Sequence, residues 1–226
     1  QLNAEIDELV AQRERLDARL VADVRVFAKG VEWCVRHDEF HKPRNGKGKT
    51  AWVKYCDSAL ETGNKRLQLL RENKKPWSTQ TGSSIRGYTS RVDGSIQPYA
   101  ISLPSNFADA KPGQRWPLHV KLHGRGGTRN EVRFFTEHGG KAPGKDQTWI
   151  QLDVFGRTDN AYRWSGETDV FEALKDVKRR YRIDDYRITL WGFSMGGAGA
   201  WHLGLHYPSM WSSVGPGAGF IDFYNY

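Results

Sequence analysis

Gly192-Phe193-Ser194-Met195-Gly196 sets a serine between two glycines, each two residues away. That spacing suits a nucleophile held on a sharp strand-to-helix turn. The turn strains the backbone at the serine, and a Cβ two positions before or after it would collide. Its effect is to lift the serine hydroxyl clear of its strand. It also brings the Met195 N–H to a helix start, where that N–H can hold an oxyanion. About seventy residues earlier stands His123-Gly124-Arg125-Gly126-Gly127. Glycines there let the chain approach a bound carbonyl, and the N–H of Arg125, or alternatively of Gly126, would be a second oxyanion donor. A histidine placed like His123 more often holds such a loop than acts as a base. Together the two segments fit acyl transfer through a covalent serine intermediate.

The elements that must position these residues are legible around them. The run 186–191 reads as a strand entering the turn, and 198–206 as a small-residue helix leaving it, closed by Tyr207-Pro208. Further strands are expected at 118–122, 148–155 and 212–215, with an amphipathic helix at 169–181. Strands alternating with helices imply a mostly parallel sheet. Ahead of them, 84–91 and 95–103 read as an antiparallel hairpin about Asp93-Gly94, a strong turn signal. Residues 2–36 and 51–72 carry apolar residues at helical spacing, and 41–49, with Pro43, Gly46 and Gly48, separates them. The expected organisation is a helical accessory region at 1–78, folded as a helical hairpin, followed by a catalytic α/β region at 79–226.

The loop after the strand at 148–155 is crowded with Asp153, Arg157, Asp159, Asn160, Tyr162, Arg163, Glu167 and Asp169. Loops at the carboxyl ends of parallel strands gather around active sites. Arg157, Arg163 and Trp164 are therefore candidates for substrate contact. The alternative is a loop that orders itself through its own ion pairs.

Composition narrows the choices. The net charge is +8, and the excess is spread along the chain. Residues 1–80 hold 16 Lys and Arg against 12 Asp and Glu, and residues 81–226 hold 18 against 14. The one local cluster is Lys42, Arg44, Lys47 and Lys49, read as a solvated connector rather than a nucleic-acid surface. Mean hydropathy is −0.68, and no apolar run is long enough to span a membrane. Cys34 and Cys56 lack metal-site or redox-motif spacing, and either two free thiols or one disulfide fits them. No cofactor or metal ion is called for. The nine Trp suit either a core or a sugar or aromatic substrate.

From about Arg86 onward the chain resembles the α/β-hydrolase superfamily, closest to bacterial feruloyl and acetyl-xylan esterases and to prolyl oligopeptidase-type hydrolases. Leu122-His123-Gly124-Arg125-Gly126-Gly127 and Trp191-Gly192-Phe193-Ser194-Met195-Gly196-Gly197 carry the resemblance, with support from Trp201, His202 and Tyr207-Pro208 and from the segment Arg86–Tyr99. It implies hydrolysis of an ester, or alternatively of a prolyl amide, with Ser194 as nucleophile. A non-catalytic binding module on a degenerate hydrolase fold is the reading from another class. No propeller repeat, the companion of the peptidases, is visible. A secreted or periplasmic location is expected.

The superfamily orders its triad as Ser, then acid, then His. Only 32 residues follow Ser194. His202 and His206 lie in the helix leaving the turn, carried roughly 12 Å or more along it, and the other five histidines precede Ser194. Asp222 follows the last expected strand and is the remaining candidate acid. The sheet would be unfinished after 212–215. A missing C-terminal segment or a second polypeptide is the expected source of the other triad members, and these 226 residues alone should hydrolyse esters very weakly.

Overall fold

The computed structural model describes residues 1–13, 16–40 and 48–221, with the side chains of 48–51 left aside. The basic cluster at 42–49 and Asp222 therefore lie outside the described side chains. Among the described residues the elements are α1 (Leu2–Gln12), α2 (Ala18–Arg36), α3 (Gly48–Arg71), β1 (Gly82–Thr89), β2 (Ile96–Leu103), β3 (Trp116–Leu122), α4 (Glu131–His138), β4 (Ile150–Val154), α5 (Ser165–Arg180), β5 (Ile183–Phe193), α6 (Met195–His206) and β6 (Ser213–Gly217). They group into two compact units. One comprises 1–78, 85–98 and 128–139; the other comprises 79–84, 99–127 and 140–226.

In the first unit, the single helix expected over 2–36 is two helices. Arg13 leaves the helical conformation at the end of α1, and its guanidinium donates to Leu70 O at 3.0 Å and Arg71 O at 2.7 Å. Those carbonyls end α3 and have no partner within their own helix. The apolar period ran through this break unchanged, so periodicity alone did not reveal it. Asp17 then caps α2, accepting from Arg19 N at 2.9 Å. Leu2, Ile6, Leu9, Val24, Ala28, Leu67, Leu70 and Trp77 form a shared core. Asp23 is fully buried and accepts from Trp77 Nε1 at 3.0 Å, Arg86 at 3.1 Å and Gly87 N at 3.1 Å. A buried carboxylate is tolerable only when its lone pairs are used in this way. The short helix α4, unforeseen in the sequence, is capped by Asn130 and lays Phe135 edge-on against Phe27.

The sheet order is β1-β2-β4-β3-β5-β6. β2 pairs antiparallel with β4, whereas β4, β3, β5 and β6 are mutually parallel. This is the mostly parallel, α/β-hydrolase-like sheet expected, led by adjacent β1 and β2 with Gly94 at φ 72° in the turn. In the second unit, β3 buries Leu118, Val120 and Leu122 and turns Pro117, His119 and Lys121 the other way. α6 packs on β3, β5 and β6, and α5 on β4. The opposite face carries Trp191 and Phe193 of β5, 45% and 56% exposed. No described helix is long and apolar enough to cross a membrane.

Candidate active site

β5 extends to Phe193 and α6 begins at Met195, so one residue, Ser194, makes the turn. Its φ is 54° and its ψ −120°. This region is costly for a residue with a Cβ, by about 1–3 kcal/mol. Two backbone hydrogen bonds and two close approaches at the flanking glycines hold it there. Ser194 N donates to Gly217 O at 2.9 Å on the neighbouring β6, and Ala198 N donates to Ser194 O at 3.0 Å. A Cβ on Gly192 would collide with the Gly196 backbone, and one on Gly196 with the carbonyls of Leu122 and His123. The two glycines therefore let β3, β5 and α6 converge on the serine. Met195 is fully buried as the first residue of α6, where backbone N–H groups have no partner within the helix.

The loop after β3 lies against this turn. A Cβ on Gly124 would sit 3.7 Å from Ser194 Cβ and 3.3 Å from Phe193 O. Gly126, the alternative oxyanion donor, is engaged elsewhere: its N–H donates to the Asp159 carboxylate at 3.1 and 3.3 Å. An N–H already serving a carboxylate is not available to a developing oxyanion, which corrects that assignment. Arg125 stands one residue earlier on the same exposed loop. His123 holds the loop, with Nδ1 2.8 Å from Gly124 O and Nε2 2.8 Å from Phe155 O. Both ring nitrogens face backbone carbonyls, so the ring braces the loop.

The loop after β4 orders itself largely through its own contacts. Asp169 is fully buried, accepts from Gly156 N at 2.7 Å and stands 3.9 Å from Arg157. Asn160 donates to Gly156 O at 2.8 Å and accepts from Tyr162 N at 2.9 Å. The loop also reaches the loop after β3 and the helix that follows Ser194. Tyr162 OH accepts from His123 N at 2.6 Å, and its ring fills the space beside Gly199 of α6. Trp164 has φ 51° and ψ −119° at the start of α5, almost the conformation of Ser194, and is 81% exposed. Arg163 is half-buried beside it. The bracing roles of Asp159 and Tyr162 have no local signature in the sequence, because their partners lie 33 and 39 residues away.

His202 and His206 do not turn to the serine. His202 Nε2 meets Glu167 Oε2 at 2.5 Å, Tyr207 OH donates to Glu167 Oε1 at 2.6 Å, and His206 Nδ1 contacts His202 O at 2.7 Å. Burial works against the Glu167 charge. The hydrogen bonds from Tyr207 and His202 outweigh it and hold the carboxyl below its usual range. His119 stacks on Trp149 with ring centroids 4.4 Å apart, and burial lowers its pKa. Among the described residues no histidine or carboxylate is hydrogen-bonded to the Ser194 hydroxyl, and no group of three His, Cys, Asp or Glu side chains is placed to hold a metal ion.

Residues 135–225 match the sequence family described as Esterase. That segment contains the Ser194 turn and excludes the 123–127 loop. No curated protein matches the chain. Among solved structures, an S-formylglutathione hydrolase from Staphylococcus aureus is 17% identical, with a TM-score of 0.45 over 63% of this chain and 59% of that one. A ferulic acid esterase is 23% identical, with a TM-score of 0.43 over 58% and 57%. A thermostable esterase is 22% identical, with a TM-score of 0.41 over 57% and 39%. The chain thus spans about two-fifths to three-fifths of the length of these structures. Residues 135–225 are thus similar to the Esterase family, and they supply β4, β5 and β6 of the mostly parallel sheet.

Proposed function

We propose that the protein hydrolyses carboxylic esters through an acyl-enzyme on Ser194. The observation that carries this reading is the strained backbone of Ser194, fixed between β5 and α6 by glycines that admit no side chain. Strain of this kind persists where surrounding structure enforces it, and it aims the hydroxyl away from the sheet. The match of the surrounding segment to an esterase family supports it. In the proposed mechanism the Ser194 oxygen attacks the ester carbonyl. The N–H groups of Met195 and Arg125 hold the oxyanion, and the alcohol leaves as the acyl group remains on Ser194. Water then releases the acid. Trp164, Arg157 and Arg163 form the substrate wall, and the exposed Trp164 ring suits an aromatic acyl group or a sugar.

The general base and its acid partner come, on this proposal, from a further segment of polypeptide outside the described residues. His123, His202 and His206 are engaged with other partners. β6 lies at the sheet edge beside the half-exposed Trp191 and Phe193, and a further strand set there would bring its carboxyl end to Ser194.

Initial rates on p-nitrophenyl acetate, methyl ferulate and a prolyl p-nitroanilide test the reading. Protein carrying the additional segment should cleave the two esters and spare the amide, and Ser194→Ala should reduce ester turnover by roughly 10³-fold or more. Preferential cleavage of the prolyl amide, or undiminished turnover by the Ala variant, would overturn it.

A further inference from the structure

At the amino ends of β3 and β5, within the second unit, lies a cleft of about 310 Å3. Arg115, Lys178, Arg179, Arg180, Arg182 and Asp185 line it, with the buried Tyr181 and Ile183. β5 starts in this cleft at Ile183 and ends at Phe193, next to Ser194, so cleft and serine lie at opposite ends of one strand. Three segments supply the cations: the last turn of α5, the connection from α5 to β5, and the residue before β3. Cations in the last turn of a helix complement its dipole. That accounts for Lys178, Arg179 and Arg180, but not for Arg115 or Arg182, which lie outside α5.

The charge of this region is not balanced within it. Arg115 and the segment 176–187 hold six Lys and Arg against three Asp. All three carboxylates are engaged: Asp176 with Arg180, Asp184 with Arg187 and Asp185 with Lys178, each at 2.7 Å. Arg115 lowers the Asp184 carboxyl as well, but as a smaller influence than Arg187. Arg115 is exposed and donates to Ile183 O at 3.2 Å. Arg182 is also exposed, and its guanidinium has no hydrogen-bond or ion-pair partner among the described residues. The backbone that carries these two arginines is tied across the strands. Trp116 N donates to Arg182 O at 2.8 Å, and the Arg187 guanidinium donates to Arg115 O at 3.2 Å. A ligand would therefore meet a frame that is already ordered, which lowers the cost of binding.

We propose that this cleft binds a small anion through a diphosphate group. Four of the five cations lining it are arginines, whose planar fork meets two phosphate oxygens at once. Two linked phosphoryl groups present enough oxygens to engage guanidinium groups from separate segments, as a single carboxylate does not. The volume is at the lower end of small-ligand pockets, which favours a compact anion over a polymer. Free diphosphate and the diphosphate of a nucleotide present this same chemistry. The proposal is independent of the reading of Ser194.

Isothermal titration of the whole chain with inorganic diphosphate, ADP and citrate, at low ionic strength, tests it. Diphosphate should bind saturably at one site. Arg182→Ala should weaken that binding about tenfold or more, and Arg182→Lys, which keeps the charge and loses the fork, should weaken it less. Lys54→Ala removes the same charge from an exposed position on α3 and should leave the affinity unchanged. Arg182 is exposed, so its variants should keep the wild-type melting temperature. Equal affinities for diphosphate and ADP would support the proposal with the diphosphate alone as the recognised group, and tighter binding of ADP would support it with a nucleotide as the ligand. Absence of saturable binding by either, citrate binding as tightly as diphosphate, or equal weakening by Lys54→Ala would overturn it. Retention of duplex DNA without binding of diphosphate would also overturn it, in favour of a general polyanion surface.

Discussion

Asp159 accepts the backbone N–H of Gly126 through both carboxylate oxygens, at 3.1 and 3.3 Å. The bond ties the loop after β4 to the glycine loop after β3, two loops at the carboxyl ends of neighbouring parallel strands. It fixes the direction of the chain just after Arg125. Asp159→Ala should free the Gly126 N–H and loosen the loop, slowing the reaction of Ser194 with a fluorophosphonate about tenfold. Asp159→Asn, which keeps an acceptor, should slow it less. Equal rates in all three proteins would show that the loop is held without Asp159.

Gly196 is the point of closest approach between α6 and the end of β3. A methyl group there meets the carbonyls of Leu122 and His123, which are backbone atoms and cannot swing aside. Gly196→Ala should destabilise the protein by about 3 kcal/mol, at the upper end of overpacking costs. Gly204→Ala, on the same helix, meets only the Val214 side chain and should cost less. Urea denaturation of the two variants compares them directly.

Glu167 joins α5 to α6 through Tyr207 and His202. Its carboxyl titrates below its ordinary value of 4.5 in the folded protein. The charged form is thus favoured by folding, and its contribution is fully present above the ordinary value. It is lost as pH falls through the lower, folded value. Glu167→Gln should flatten the acid side of the stability–pH curve below about pH 4.5. Thermal midpoints measured from pH 3 to pH 7 would show it, and parallel curves for wild type and variant would contradict it.

Asp23 and Arg86 are both fully buried and paired at 3.1 Å. Removing one member leaves the other charge without its partner in the core. Asp23→Ala should cost about 3–5 kcal/mol. Near-neutral stability of that variant in a denaturant melt would refute the assignment.

The sequence made the central features readable where the signal is local. The strand before Ser194, the small residues after it and the Asp93-Gly94 turn are each encoded within a few residues. Element ends were less legible. β5 begins at Ile183 rather than near 186, and α5 at Ser165 rather than near 169. Exposed Asp185, Tyr186 and Arg187 hide the strand's start, and the α5 start depends on the unusual backbone of Trp164. The break after Arg13 rests on carbonyls nearly sixty residues away. The engagement of Gly126 by Asp159 likewise depends on a partner that no motif marks.

The central claim is that Ser194 is the nucleophile, and covalent labelling tests it most directly. Protein carrying the additional segment, treated with a fluorophosphonate and digested, should yield one modified peptide with the adduct on Ser194, and Ser194→Ala should yield none. An adduct on another residue, or equal labelling of the Ala variant, would contradict the account.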